Sequence, residues 1–239
     1  MPMLKLKLTQ LLNDISDKKP LEIKDDPFII SPTYCALNFI GDVHGAKYWY
    51  QDTCYRSNYS IQVGDIINSP DLHSYFSGLD PTKHRYIHGN HDWLKDKPPA
   101  NYLGRYGIWY NAELDLKIGF ISGAYSVDRA RRIGLSYDPV HDNEELSIED
   151  LEHAILLLQS EQPDVIVTHS APYSIFGNLR LLPQYGKIKT KTSQALDIVL
   201  ENCSPTLWVF GHFHQDVHFV HQNRVTFACV NMNTTLPFV

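Results

Sequence analysis

A chain of 239 residues with 43% hydrophobic and 20% charged residues can bury one sizeable core and leaves no room for two full enzyme domains. Its formal net charge of -6 argues against a protein that coats long nucleic acid, because neutralising many phosphates needs many Lys and Arg. No apolar run reaches the roughly 18 residues of a membrane-spanning helix, so contact with a membrane is not expected.

Residues 1–33 read as an N-terminal extension: 4–15 has the spacing of a short amphipathic helix, and 17–26 is charged and proline-bearing. The segment lacks the apolar stretch of a secretory signal, which predicts a cytoplasmic protein. The domain proper is expected over 34–239. Short β-rich runs recur there at 34–40, 61–63, 85–87, 116–121, 165–167, 207–210, 217–220 and 225–230. A helix is predicted after Ser147, which fits a capping box with Asp150, through Leu151, Ala154, Ile155 and Leu158 to a stop at Pro163. Strands interleaved with helices predict an α/β, or α+β, layered fold. The polar, basic stretch 177–192 reads as a loop. Cys35, Cys54, Cys203 and Cys229 are scattered without paired spacing, and are read as reduced core thiols rather than a disulfide framework or a zinc site.

Several Asp, His and Asn residues fall immediately after an apolar run, where a strand ends and ligands are commonly held. Gly41-Asp42-Val43-His44-Gly45 follows the first run, Gly64-Asp65 the second and His88-Gly89-Asn90-His91-Asp92 the third. Thr168-His169 and Gly211-His212-Phe213-His214 close two later runs. Asp42 and His44 are two apart, as are His212 and His214, so on extended chain each pair projects to one side and can chelate one ion. A lone Gly-Asp or Thr-His is usually a turn or a surface residue. Five such elements in one chain, if they converge, supply mixed imidazole, carboxylate and amide ligands suited to manganese, iron or zinc.

The ordered set Gly-Asp-x-His-Gly, Gly-Asp, Gly-Asn-His-Asp, Thr-His and Gly-His-x-His resembles the calcineurin-like metallophosphoesterase superfamily, over Gly41 to His214. The resemblance implies two mixed β-sheets packed face to face and flanked by helices, a four-layer sandwich with the metals at the strand ends. It implies two divalent transition-metal ions, manganese first, with iron, zinc or nickel as alternatives. Position by position, Asp42, His44 and His214 resemble ligands of the first metal, while Asn90, His169 and His212 resemble ligands of the second. Asp65 resembles the carboxylate that bridges them. The implied reaction is hydrolysis of a phosphodiester or phosphomonoester by hydroxide activated between the ions. His91 resembles the catalytic imidazole that protonates or stabilises the departing oxygen, with Asp92 orienting it by a hydrogen bond. The implied partner is a phosphate-ester substrate, a nucleotide among the candidates.

Two departures narrow the comparison. Ile66-Ile67-Asn68-Ser69 stands where protein serine/threonine phosphatases carry Val-Asp-Arg-Gly, and the third motif ends in Asp92 rather than Glu, which favours a phosphodiesterase-like member. Arginine for a second substrate charge must then come from elsewhere. Arg129 and Arg132, in a segment that follows a strand, are candidates, with a solvated charged loop as the alternative reading. The same pair of readings applies to Arg180, Lys187, Lys189 and Lys191. His73, His84, His141, His153, His218 and His221 carry no spacing signal and are read as structural, while His88, just before Gly89, is a candidate support for the site. A nuclease, or a non-catalytic scaffold of the same fold, are the competing functions.

Overall fold

The computed structural model describes residues 35–67, 71–92, 97–133 and 144–238. The expectations for 1–33 and for His141 lie outside the described residues. In the first sheet, β1 (Cys35–Ile40), β2 (Ser57–Gln62) and β3 (His84–Tyr86) run parallel, and β10 (Thr235–Phe238) pairs antiparallel with β1. The second sheet has the order β4 (Tyr106–Asn111), β5 (Leu116–Ile121), β6 (Val165–Thr168), β7 (Leu207–Phe210), β9 (Val225–Cys229) and β8 (Val217–His221). Its middle strands β5, β6, β7 and β9 are parallel, and the outer strands β4 and β8 are antiparallel to their neighbours.

Parallel neighbours need crossover connections, and helices supply them except between β7 and β9, where the chain passes through β8. Helix α1 (Lys47–Tyr55) lies between β1 and β2, and the short α2 (Leu72–Tyr75) between β2 and β3. A further short helix, α3 (Arg129–Arg132), follows β5 and precedes α4 (Ile148–Glu161), while α5 (Lys191–Asn202) joins β6 to β7. The expected cap at Ser147 forms, its hydroxyl accepting from the Asp150 amide at 3.1 Å. The helix ends on Gln162 in a left-handed conformation, directly before Pro163.

Each sheet has one face against helices. On the second sheet Ile166, Trp208, Phe210 and Phe227 pack with Leu151 and Leu158 of α4 and Leu196 and Val199 of α5. Val165, Val167, Leu207 and Val209 are just as buried and, by the two-residue period of a strand, face the opposite way. On the first sheet Ile40 and Tyr86 pack with Tyr50 and Cys54 of α1 and Leu72 of α2. Leu37, Phe39 and Ile61 are left for the inner face. Tyr59 of β2 and Trp109 of β4 touch between the sheets, with ring centroids 6.4 Å apart. The layering is therefore helix, four-stranded sheet, six-stranded sheet, helix. Each fully buried Val, Leu or Phe contributes about 1.5–3 kcal/mol by leaving water, so the inner layer fixes how the strand ends of the two sheets meet.

Strand β2 starts four residues earlier than its apolar run at 61–63. Two of its added residues, Ser57 and Ser60, are polar yet buried, and each finds a partner: Ser57 Oγ accepts from Asn38 Nδ2 at 2.8 Å, and Ser60 Oγ lies 3.1 Å from His84 Nδ1. Residues 177–192 open with the end of a 3₁₀ turn (Tyr173–Asn178) and close in α5, whose first turn is capped by Thr190 and Ser193 bonding each other's amides at 3.0 Å.

Candidate metal centre

The loops after β1, β2, β3, β6 and β7 leave the carboxyl ends of parallel strands and meet where the two sheets meet. Backbone geometry makes the meeting close. Gly64, at φ +104°, could not carry a Cβ, which would overlap the His169 ring and sit 2.8 Å from the Gly89 nitrogen. Asp65, His44, His212 and His214 also hold positive φ, at 58°, 44°, 67° and 51°. Left-handed backbone costs a non-glycine residue roughly 1–2 kcal/mol, so four instances in one place mark a site whose shape is kept for function.

Two sets of three donors result. The ring nitrogens of His44 and His214 and a carboxylate oxygen of Asp42 lie within 4.8 Å of one another, as do donors of Asp65, His169 and His212. In the first set His44 Nε2 and His214 Nε2 are 3.0 Å apart, and Asp42 Oδ2 stands 3.0 Å from the latter and 3.9 Å from the former. In the second, His169 Nε2 lies 3.3 Å from Asp65 Oδ2 and 3.0 Å from Asn90 Oδ1, so the amide oxygen joins this set. Asp65 Oδ2 is also 3.9 Å from His44 Nε2 and thus faces both sets. Imidazole nitrogens, carboxylate oxygens and an amide oxygen crowd together here. That donor set fits divalent transition-metal ions, and its carboxylates and imidazoles are those that manganese, iron and zinc share.

The supports of these side chains are backbone groups. His169 Nδ1 lies 2.7 Å from the Val63 carbonyl, which can only accept, so Nδ1 carries the proton and Nε2 is the atom turned to the site. Asp42, fully buried, takes the His212 amide on both oxygens at 3.2 and 3.1 Å. Asp65 Oδ1 accepts from the His91 amide at 2.8 Å, leaving Oδ2 for the donor sets.

Charge is distributed unevenly. Burial alone would push the His169 imidazole down, but the Asp65 carboxylate overrides it and lifts the group to about 9. Burial and then the neighbouring His169 charge drive His212 down to about 3, its ring only 5.0 Å from that of His169. Burial works to raise Asp65, yet the facing imidazoles, His169 foremost, hold it well below the usual carboxylate range. In the metal-free protein the second set therefore holds an imidazolium, a neutral imidazole and a carboxylate.

All seven candidate ligands named from the sequence converge. His91 is half-buried beside them, its ring 5.6 Å from that of His44. Asp92 stands elsewhere in the network than expected. Its Oδ2 accepts from the amides of Asp65 and Gly89, both at 2.8 Å, and its Oδ1 from those of Ile66 and Ile67, at 2.8 and 3.0 Å. Four amides fill the roughly four lone-pair positions of a carboxylate. Asp92 thus ties the second motif to the third, and the expectation that it orients His91 finds no lone pair to work with.

The arginine candidates also differ from expectation. Arg132 has a fully buried side chain, its guanidinium 3.1 Å from Glu144 Oε1, so a phosphate arriving from solvent does not reach it. Arg129 pairs with the other oxygen of Glu144 at 3.1 Å and keeps about a third of its side chain exposed, 35%. Arg180 is exposed, and its backbone is joined to Gln215, next to His214, by a 2.9 Å bond from its amide. His88 is buried behind the third motif, with Nδ1 2.7 Å from the Tyr102 hydroxyl.

Ser126 was not anticipated: its hydroxyl accepts from Asn90 Nδ2 at 2.8 Å. The available signal was its place just after β5, on the strand edge that carries the other motifs.

No curated protein matches the chain. Among solved structures, a dimetal phosphatase from Danio rerio is similar with a TM-score of 0.51 at 12% identity, over 83% of this chain and 88% of that one. A phosphopantetheinyl hydrolase from Mycobacterium tuberculosis gives 0.46 at 15% identity, over 83% and 90%. At 12% identity the likeness to the dimetal phosphatase is one of fold alone. The family model described as calcineurin-like phosphoesterase matches residues 37–216. Since that match runs from β1 to just past His214 and takes in every loop that brings a donor to the site, the chain belongs to the calcineurin-like phosphoesterase family.

Proposed function

We propose that this protein hydrolyses a phosphodiester or phosphomonoester with two divalent transition-metal ions, manganese foremost, held by the two donor sets. The observation that carries the reading is Asp65, a buried carboxylate 3.3 Å from His169 and 3.9 Å from His44, one residue from each set. Asp42, His44 and His214 would hold one ion, Asn90, His169 and His212 the other, and Asp65 would be common to both. When bound, such a pair lowers the pKa of water and neutralises charge on the phosphoryl oxygens. His91, half-buried at the rim, would give a proton to the departing oxygen. Asp92 would keep Asp65 and the third motif in register through the backbone. Partly exposed Arg129 remains the candidate for gripping a remote phosphate, and buried Arg132 is withdrawn from that role.

The catalytic domain would be 34–239, with 1–33 an appended segment. Among the described residues no helix is long and apolar enough to cross a membrane. Cys54, Cys203 and Cys229 are buried thiols, in keeping with a reducing cytoplasm.

The test is elemental analysis followed by turnover of p-nitrophenyl phosphate and bis-p-nitrophenyl phosphate with and without manganese. Up to two ions per chain and metal-dependent turnover are expected. A chain that neither contains nor takes up manganese or zinc overturns the reading, and a metal-loaded chain with no turnover of any phosphate ester returns it to a scaffold.

A further inference from the structure

Ser126 Oγ is a junction. It accepts from Asn90 Nδ2 at 2.8 Å and from Arg132 Nη1 at 2.6 Å. The same Arg132 nitrogen lies 3.1 Å from Glu144 Oε1, and Arg129 Nη1 lies 3.1 Å from Glu144 Oε2. Ser126, Arg132 and Glu144 are all buried, at 1%, 0% and 1% exposure. A buried arginine is costly unless its charge is matched, and Glu144 matches it. What remains is why a charged pair is built into the wall of this site. The pair reaches the second donor set through one hydroxyl and one amide, Ser126 and Asn90.

That amide has two ends of opposite character. With Nδ2 fixed on Ser126, Oδ1 is turned to His169 Nε2 at 3.0 Å, the side on which the second donor set lies. A rotated amide would offer N–H groups to a cation and an oxygen to Ser126. Arg132 only donates, so it occupies the hydroxyl as an acceptor with a short, charge-assisted bond and limits how far Ser126 can swing to follow the amide.

We infer that Ser126 and Arg132, clamped by Glu144, are positioning residues that keep the Asn90 amide oxygen directed at the second metal site. The inference rests on the metal reading proposed above. Supports behind a ligand commonly set affinity by 10- to 100-fold, so the effect should appear as a selective loss at one of two ions.

The experiment is calorimetric titration of the metal-free chain with zinc alone, beside a thermal melt without metal. Wild type should take up two ions. Ser126→Ala removes one hydroxyl and leaves the Arg132–Glu144 pair intact. It should weaken one ion by roughly 10- to 100-fold, leave the other within about 3-fold and barely shift the melt. Arg132→Met should weaken the same ion; where that variant does not fold, Ser126→Ala alone decides. Cobalt substituted for zinc gives a second readout, since a displaced amide oxygen changes its visible spectrum in Ser126→Ala. Two ions bound with wild-type affinity and an unchanged cobalt spectrum in Ser126→Ala overturn the inference while leaving the metal reading in place. Equal weakening of both ions together with a lowered melt also overturns it, as a merely structural role. A wild-type chain that binds no zinc overturns the metal reading first and this inference with it.

Discussion

His169 Nε2 stands 3.3 Å from Asp65 Oδ2, a contact between two fully buried ionisable groups contributed by different sheets. The loop after β2 and the loop after β6 are locked by it, and again by the bond from His169 Nδ1 to the Val63 carbonyl. Because Asp65 belongs to the second donor set and also lies 3.9 Å from His44 of the first, it is the side chain that two ions would share. Asp65→Ala should therefore be the most damaging ligand change, lowering uptake of both ions and cutting turnover by more than about 100-fold. Near-normal turnover with full metal content would show that no shared carboxylate is needed.

The same contact makes metal uptake depend on pH. In the metal-free chain His169 stays protonated up to about 9, above its ordinary value near 6.5. A cation needs the neutral ring, so at pH 7 it must displace that proton, whereas His212, held down at about 3, is already neutral. The sign follows: affinity at the second set rises with pH and levels off above about 9. Calorimetry at pH 7 in two buffers of different ionisation enthalpy should reveal about one proton released per ion at this set. A binding heat that does not change with the buffer would contradict the protonated ring.

Asp92 gives a stability prediction, since its four amide bonds tie Asp65, Ile66, Ile67 and Gly89 together. Asp92→Asn keeps the shape but replaces one accepting oxygen with an NH₂ that faces N–H donors. Losing charge-assisted bonds and leaving amides unmet should cost on the order of 3 kcal/mol, or roughly 10 °C in Tm for a domain of this size. A residue that served only to orient His91 would leave the melt of the metal-free chain unmoved.

These contacts also explain what the sequence made legible. Strands β6 and β7 are buried on both faces, so they read as unbroken apolar runs ending in His169 and Gly211. The motif residues were visible because their chemistry is fixed by side-chain type. Strand β4 was missed because it lies at the sheet's edge with Tyr106 to Trp109 only half-buried, and β10 because it is four residues long and contains Pro237. Helix α1 buries little more than Tyr50 and Cys54, too few positions to show a helical period. Pairings across long sequence separations were out of reach: nothing at Ser126 announces a bond to Asn90, and nothing at Asp92 announces the amides of Asp65, Ile66 and Ile67.

His91 separates chemistry from binding. Its neighbour Asn90 turns an amide oxygen toward the second set, while His91 lends its backbone amide to Asp65 and keeps its half-buried ring beside His44. His91→Ala preserves that backbone bond, so both ions should stay bound and the melt should hold. The loss should fall on kcat. General acid assistance is worth typically 10²- to 10⁴-fold, and a poor alkoxide leaving group should show a loss in that range. The p-nitrophenolate anion departs without a proton, so its esters should lose markedly less. Measuring kcat and metal content for an alkyl ester and a p-nitrophenyl ester with wild type and variant decides the matter. An equal loss on both esters would make His91 a group that stabilises the phosphoryl charge rather than the acid, and loss of an ion with the ring would make it a ligand.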